Sequence, residues 1–111
     1  MGLEAFSLSG KLALVTGGGT GIGLGISKAF IEAGARVVIT GRRKSTLKEA
    51  TSRLGDNAYY RVNDITEKNE IPNLVEDIEK NIGAIDILVN NAGIHHKEWA
   101  QETSDFDFER I

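Results

Sequence analysis

The sequence predicts an α/β fold in which a doubly wound parallel sheet carries helices on its faces. Short apolar runs rich in β-branched residues recur along the chain, and a segment with helical spacing of apolar residues follows each of the first three. Strands that alternate with helices in this way pair in parallel through right-handed crossovers. Four such strands are expected in the 111 residues, without an internal repeat or a linker.

The first predicted strand and the turn after it are the most informative stretch. Residues 12–15 form a continuous apolar run, typical of a strand covered on both faces. Gly17, Gly21 and Gly23 follow, and a helix is expected from about Ile22. Glycines there permit a tight turn, a close approach of the backbone to a pyrophosphate, and close packing of helix on sheet. The stretch therefore predicts dinucleotide binding, although a crowded turn without a ligand would carry the same glycines.

The next elements are a helix that ends at Gly34 and a β-branched strand over residues 36–40. The helix is expected to bury one apolar face, made of Ile22, Ile26, Ala29, Phe30 and Ala33.

The second half of the chain repeats this alternation. Ser45 is expected to cap a second helix, which ends at residues 55–57. The third strand, residues 58–63, is less apolar and is therefore expected near an edge of the sheet. A third helix is expected from about Asn69 to Gly83, with Pro72 in its first turn, where the missing N–H has no intrahelical partner. The fourth strand covers residues 85–90.

The end of the second strand carries the signal for cofactor choice. An open α/β sheet binds its ligand at the carboxyl ends of its strands, where an acid would bind a ribose 2′-hydroxyl. Gly41 stands at that position here, and Arg42 and Arg43 follow. A guanidinium forms bidentate bonds to a 2′-phosphate, so the pattern favours NADP(H) over NAD(H). The alternative is a solvated basic loop.

Two further strand ends carry polar residues. Asp64 could accept a hydrogen bond from an adenine amino group or help to cap the following turn. The side-chain amides of Asn90 and Asn91 could tie neighbouring strand ends together, and Ala92 with Gly93 leaves space for a cofactor ribose.

Together these motifs resemble the short-chain dehydrogenase/reductase family over residues 6–111. The resemblance implies a Rossmann-type sheet, a nicotinamide cofactor (NADP or NAD), and hydride transfer with an alcohol or ketone, with a loose likeness to members acting on sugar acids or polyols. It also implies a homotetramer when the enzyme is complete. The expected cofactor-binding residues are Gly17, Thr20, Gly21, Ile22, Gly23, Arg42, Arg43, Asp64, Ile65, Asn91, Ala92 and Gly93.

The sequence departs from the family in its catalytic residues. Members use a Tyr-x-x-x-Lys pair assisted by a Ser and an Asn, whereas Tyr59 and Tyr60 precede Asn63 and Asp64 at that spacing. Residues 105–111 look like the start of a fourth helix. We therefore expect residues 1–111 to be the cofactor-binding Rossmann domain of a longer enzyme and to be inactive alone, with no catalytic residue. The alternatives are a non-catalytic dinucleotide-binding module and, less favoured, an S-adenosylmethionine methyltransferase, which would normally carry an acid where Gly41 stands.

Composition argues against nucleic acid and membranes as partners, which leaves a small-molecule substrate and further copies of the chain. A formal net charge of −3 provides no basic field for nucleic acid or an anionic membrane, and no apolar run has the length of a membrane span. The absence of cysteine fits a reducing compartment, so a cytoplasmic location is expected. His95 and His96 are adjacent and would point apart, and no third ligand has suitable spacing, so no metal site is expected.

Overall fold

The computed structural model describes residues 7–64 and 70–91. That part of the chain forms four strands and three helices in strict alternation: β1 (Leu12–Thr16), α1 (Gly21–Glu32), β2 (Arg36–Gly41), α2 (Lys44–Leu54), β3 (Ala58–Val62), α3 (Glu70–Asn81) and β4 (Ile87–Asn90). All strand pairs are parallel, in the order β3-β2-β1-β4. The predicted fold class is confirmed. No helix in the described ranges is long and apolar enough to cross a membrane.

Strand β1 is the centre of this sheet because it pairs with β2 on one side and with β4 on the other. All five of its residues are buried, which the continuous apolar run predicts. Strand β3 lies at one edge of the described sheet and is only partly buried, in agreement with its lower apolar content.

Side chains that alternate along the strands form two apolar layers, one on each face of the sheet. One layer packs beneath α1 and α2 and contains Ala13, Val15, Val37, Ile39, Leu47, Ala50 and Val89. The other packs beneath α3 and contains Leu12, Leu14, Val38, Leu74 and Ile78. A doubly covered sheet of this kind leaves the carboxyl ends of the strands as a separate polar edge.

The predicted inward face of α1 is confirmed in part: Ile26 and Phe30 pack partly buried against the core, whereas Ile22 and Ala29 are exposed. Ile22 is 62% exposed, and the buried residues of the helix are Gly23 and Ser27. Small residues lie inward because the helix approaches the sheet closely, and the Ser27 hydroxyl donates to the Gly23 carbonyl at 2.9 Å. Phe30 continues this face and packs partly buried against the core.

The structure confirms two of the predicted features at helix ends and corrects the third. Gly34 follows α1 with a φ of 104° and donates its N–H to the Ile31 carbonyl, as expected of a C′ glycine. The predicted Ser45 cap is wrong, because α2 begins at Lys44 with Arg43 as its N-cap residue, and Ser45 lies inside the first turn. Pro72 occupies the first turn of α3 as predicted.

An ion pair fastens α3 to the edge strand. Arg61 Nε donates to Asp77 Oδ2 at 2.6 Å, and Asn81 Nδ2 donates to Asp77 Oδ1 at 2.7 Å. The hydrogen bond from Arg61 and then that from Asn81 hold the pKa of Asp77 below its ordinary value of 3.8. Because the folded pKa is depressed, this contribution to stability is present above the ordinary pKa and is lost as the pH falls through the depressed value.

We expect the Asp77→Asn substitution to lower the free energy of unfolding of the whole protein by no more than about 1 kcal/mol at neutral pH, because both partners are partly exposed and solvent screens the pair. The difference from wild type should shrink as the pH is lowered through the carboxyl range. Urea unfolding at several pH values measures it. The control is Glu76→Gln, an exposed acid on the same helix. An Asp77→Asn effect that does not depend on pH would contradict this assignment.

Candidate functional site

The candidate site lies along the carboxyl ends of the strands, where backbone bonds continue the sheet beyond its last paired residues. The N–H of Gly17 donates to the Thr40 carbonyl at 2.9 Å, and the N–H of Asn63 donates to the Gly41 carbonyl at 2.8 Å. These bonds fix the residues that follow β1 and β3 against the end of β2. The polar segments predicted at separate strand ends therefore share one edge of the sheet.

The glycine turn after β1 needs glycine for different reasons at different positions. Gly17 and Gly21 have φ values of 66° and 54°, in the left-handed region that other residues rarely adopt. A side chain at Gly21 would meet no protein atom within 4 Å, so this backbone faces open space. A Cβ at Gly23, in contrast, would collide with the Gly17 carbonyl and lie 2.6 Å from Asn91 Nδ2.

Two side-chain amides connect β4 to the centre of the sheet, as predicted. Asn91 is 4% exposed and donates from Nδ2 to the Gly17 carbonyl at 3.0 Å. Asn90 accepts at Oδ1 from the hydroxyl of Thr16 at 3.2 Å, and the same hydroxyl lies 3.3 Å from the Val89 carbonyl. The end of β4, the turn and the start of α1 are thus held together by direct contacts.

The start of α1 is exposed on its outer side. Thr20 is the N-cap residue, in an extended conformation, and its side chain makes no capping bond. The N–H groups of the first helical turn have no intrahelical partners, and the helix dipole adds partial positive charge there. With Gly21 open and Ile22 62% exposed, an anionic group could reach this backbone.

The end of β2 presents two cationic side chains beside the turn. Arg42 and Arg43 are both exposed, and Arg43 accepts at its carbonyl the first backbone hydrogen bond of α2, from Leu47 at 3.1 Å. Gly41 packs against Leu47, since a Cβ on it would lie 3.2 Å from Leu47 Cδ2. The two guanidinium groups give this end of the edge a local positive charge in a chain whose net charge is −3.

Two buried polar residues of the edge belong to segments predicted from the sequence but were not predicted to have a role. One is Thr16, whose signal was a hydroxyl at the end of an otherwise apolar strand. The other is Asn63, which is 8% exposed and donates from Nδ2 to Glu70 Oε1 at 3.1 Å. Its Oδ1 is buried without a hydrogen-bond partner. Asn63 links the end of β3 to the first residue of α3, whereas the prediction there concerned Asp64, which is half-buried.

Several predicted residues lie outside the described residues: Ile65, Ala92, Gly93, His95 and His96. Within residues 7–64 and 70–91, no three His, Cys, Asp or Glu side chains are grouped as a metal site would require.

The chain is similar in sequence to members of a known protein family. A family model described as short chain dehydrogenase matches residues 11–111. Gluconate 5-dehydrogenase of Gluconobacter oxydans (strain 621H) is 41% identical, over 97% of this chain and 43% of that enzyme. L-fucose dehydrogenase of Bos taurus is 38% identical over 93% of this chain and 38% of its own length. The chain thus spans about two-fifths of the length of these curated relatives.

A solved structure gives the same result for the fold. The crystal structure of 2-keto-3-deoxy-D-gluconate dehydrogenase from Streptococcus agalactiae aligns with a TM-score of 0.75 and 40% identity, over 96% of this chain and 41% of that chain.

Alanine substitutions at three glycines should separate the roles of turn, ligand approach and packing. We expect Gly21→Ala in the whole protein to weaken dinucleotide binding at least about ten-fold, with a stability loss of roughly 1–2 kcal/mol from the left-handed φ. Gly23→Ala should lose both binding and stability, because its Cβ has no room.

Gly25→Ala is the matched control, because Gly25 is exposed in the same helix and a Cβ there meets nothing within 4 Å. It should leave binding unchanged and raise stability by up to about 1 kcal/mol. Calorimetric titration with the cofactor and thermal unfolding measure both quantities. Wild-type affinity in Gly21→Ala would exclude the turn from the ligand site.

Proposed function

This chain belongs to the short-chain dehydrogenase family, and on that premise we propose that residues 1–111 form a Rossmann-type dinucleotide-binding domain of a nicotinamide-dependent oxidoreductase. The observation that carries the proposal is the open start of α1, where Gly21 exposes its backbone next to the close contact of Gly23 with the Gly17 carbonyl. A pyrophosphate needs both features: reachable N–H groups and a helix start held close to the sheet.

The residues present fit such a cofactor. The turn from Gly17 to Gly23, with Thr20 at the helix cap, would hold the pyrophosphate, and Ile22 would line the approach to it. Asn91 would contribute by fixing the turn, as its bond to the Gly17 carbonyl suggests. Asp64 and Ile65 would border the adenine, and Ala92 with Gly93 would border a ribose. The bound cofactor supplies hydride transfer.

Of the two nicotinamide cofactors we propose a preference for NADP(H), which carries a 2′-phosphate, with NAD(H) as the alternative. Arg42 and Arg43 are exposed at the end of β2, where the ribose 2′ position of a dinucleotide would lie. No carboxylate lies there to accept hydrogen bonds from the two ribose hydroxyls of NAD(H), because residue 41 is glycine. A guanidinium paired with a phosphate makes charge-assisted bonds, which are about twice as strong as neutral ones.

For the substrate we propose a small alcohol or ketone of the sugar-acid or polyol class. The support is that the related enzymes are named for gluconate, L-fucose and 2-keto-3-deoxy-D-gluconate. We assign no catalytic role to residues 1–111, and propose that the proton is handled by residues elsewhere in the whole protein. A homotetramer is proposed from the family resemblance alone, and a cytoplasmic location from the absence of cysteine.

A non-catalytic dinucleotide-binding module is the second candidate. Within the 111 residues Tyr59 and Tyr60 precede Asn63 and Asp64 at the Tyr-x-x-x-Lys spacing, so cofactor binding is the activity that these residues support by themselves. Turnover decides between the two. The whole protein is incubated with NADP or NAD and a panel of sugar acids and polyols, and nicotinamide absorbance is followed. The oxidoreductase proposal expects reduction of the cofactor with at least one substrate, whereas cofactor binding without turnover across the panel favours the module.

Removal of the Arg42 side chain tests the cofactor preference. We expect Arg42→Ala in the whole protein to weaken NADP binding by roughly ten- to a hundred-fold while changing NAD binding little, because a charge-assisted hydrogen bond contributes about 1.5–3 kcal/mol. Both cofactors are titrated at one ionic strength, since salt screens exposed charges.

Arg53→Ala is the matched control, because Arg53 is an exposed arginine in the last turn of α2. It should leave both affinities unchanged. An equal loss of NAD and NADP affinity in Arg42→Ala would mean that the guanidinium stacks on the adenine and does not read the 2′-phosphate.

A further inference from the structure

One methyl group of Leu47 lies between two glycines of the candidate site. Its Cδ2 is 3.2 Å from the position that a Cβ would take on Gly41, and 3.3 Å from the position that a Cβ would take on Gly19. Gly41 ends β2, and Gly19 belongs to the turn after β1. The side chain therefore fills the gap between the turn and the strand end, and both neighbours lack the atom that would crowd it.

Backbone conformation does not explain why residue 41 is glycine. Gly41 and Gly19 are absent from the positions with positive φ, in contrast to Gly17 and Gly21. Any residue could adopt the backbone of Gly41 in this strand. What a side chain there would meet is Leu47, through Cδ2 at 3.2 Å, Cγ at 3.6 Å and Cδ1 at 3.8 Å.

Leu47 has little freedom to move away. It is 2% exposed and belongs to the buried layer that includes Ile39 and Ala50. Its backbone N–H donates to the Arg43 carbonyl at 3.1 Å, which closes the first turn of α2 and holds Leu47 in it. Because cores are packed to near-crystalline density, a Cβ at residue 41 would force a shift that the neighbours of Leu47 resist.

We propose that Leu47 is a positioning residue that determines cofactor specificity, by keeping residue 41 without a side chain. This rests on the proposed function of the edge as a dinucleotide site. An acidic side chain at residue 41 would accept hydrogen bonds from the ribose hydroxyls of NAD(H). Leu47 disfavours that acid from the side of the core, because a Cβ at residue 41 would require its methyl group to shift by a few tenths of an ångström. It does so without contacting the cofactor, and it leaves the 2′ position to Arg42.

Gly41→Asp alone should weaken binding of both cofactors: the carboxylate repels the 2′-phosphate of NADP(H), and its Cβ displaces Leu47 and with it the glycine turn. Shortening Leu47 to valine removes the δ carbons and makes room for the acid. The double variant Gly41→Asp/Leu47→Val should therefore bind NAD about ten-fold more tightly than Gly41→Asp does.

The experiment measures dissociation constants for NAD and NADP in the whole protein for the wild type, both single variants and the double variant, by calorimetric titration. Thermal unfolding without cofactor gives a second readout. Leu74→Val is the matched control: Leu74 is a buried leucine, 6% exposed, in the layer on the opposite face of the sheet. It should lower the melting temperature as Leu47→Val does, and it should not restore NAD binding to Gly41→Asp.

Additive effects of the two substitutions on NAD binding, or equal rescue by Leu74→Val, would overturn the proposal. A wild-type protein that binds neither cofactor would instead refute the proposed function, so the two failures are distinguishable. If Gly41→Asp does not fold, Gly41→Ala replaces it. Its loss in melting temperature should then disappear when Leu47→Val is the background, and a loss of the same size in both backgrounds would overturn the proposal.

Discussion

The close approach of α1 to the centre of the sheet is the constraint on which the rest of the site depends. Gly23 packs so tightly against the Gly17 carbonyl that a Cβ cannot fit, and Asn91 donates to the same carbonyl from β4. One backbone oxygen thus joins the end of β1, the start of α1 and the end of β4. Because Gly23 and Asn91 are buried, these contacts fix the direction in which the first turn of α1 points its N–H groups.

Stability and ligand chemistry are separated along this edge. The buried residues Thr16, Asn63 and Asn91 connect strand ends or helix starts to one another. Three of the residues proposed to meet the cofactor, Thr20, Ile22 and Arg42, are exposed. Polar groups in the buried set are costly to leave unsatisfied, so they specify geometry, while the exposed set remains available to a ligand. A rigid scaffold presenting open backbone amides is what binding a pyrophosphate requires.

The strands, their alternation with helices and the glycine turn could be predicted from the sequence, because buried apolar runs and glycine spacing are local signals. Parallel pairing of the strands follows from the alternation. The inward face of α1 was predicted correctly at Ile26 and Phe30 but not at Ile22, which is exposed, and the fully buried Gly23 and Ser27 were not predicted. Small residues at a close helix–sheet contact carry no hydrophobic signal. The contact of Leu47 with Gly41 and Gly19 depends on three separate elements, and spacing in one chain does not reveal it.

The central claim is that the open first turn of α1 holds the pyrophosphate of a nicotinamide dinucleotide. A crystal structure of the whole protein with NADP bound tests it most directly. The account predicts phosphate oxygens within hydrogen-bonding distance of backbone N–H groups between Gly21 and Gly23, with the Gly17 to Asn91 contact unchanged. A dinucleotide bound away from this turn, or a turn that rearranges so that Asn91 leaves the Gly17 carbonyl, would contradict it.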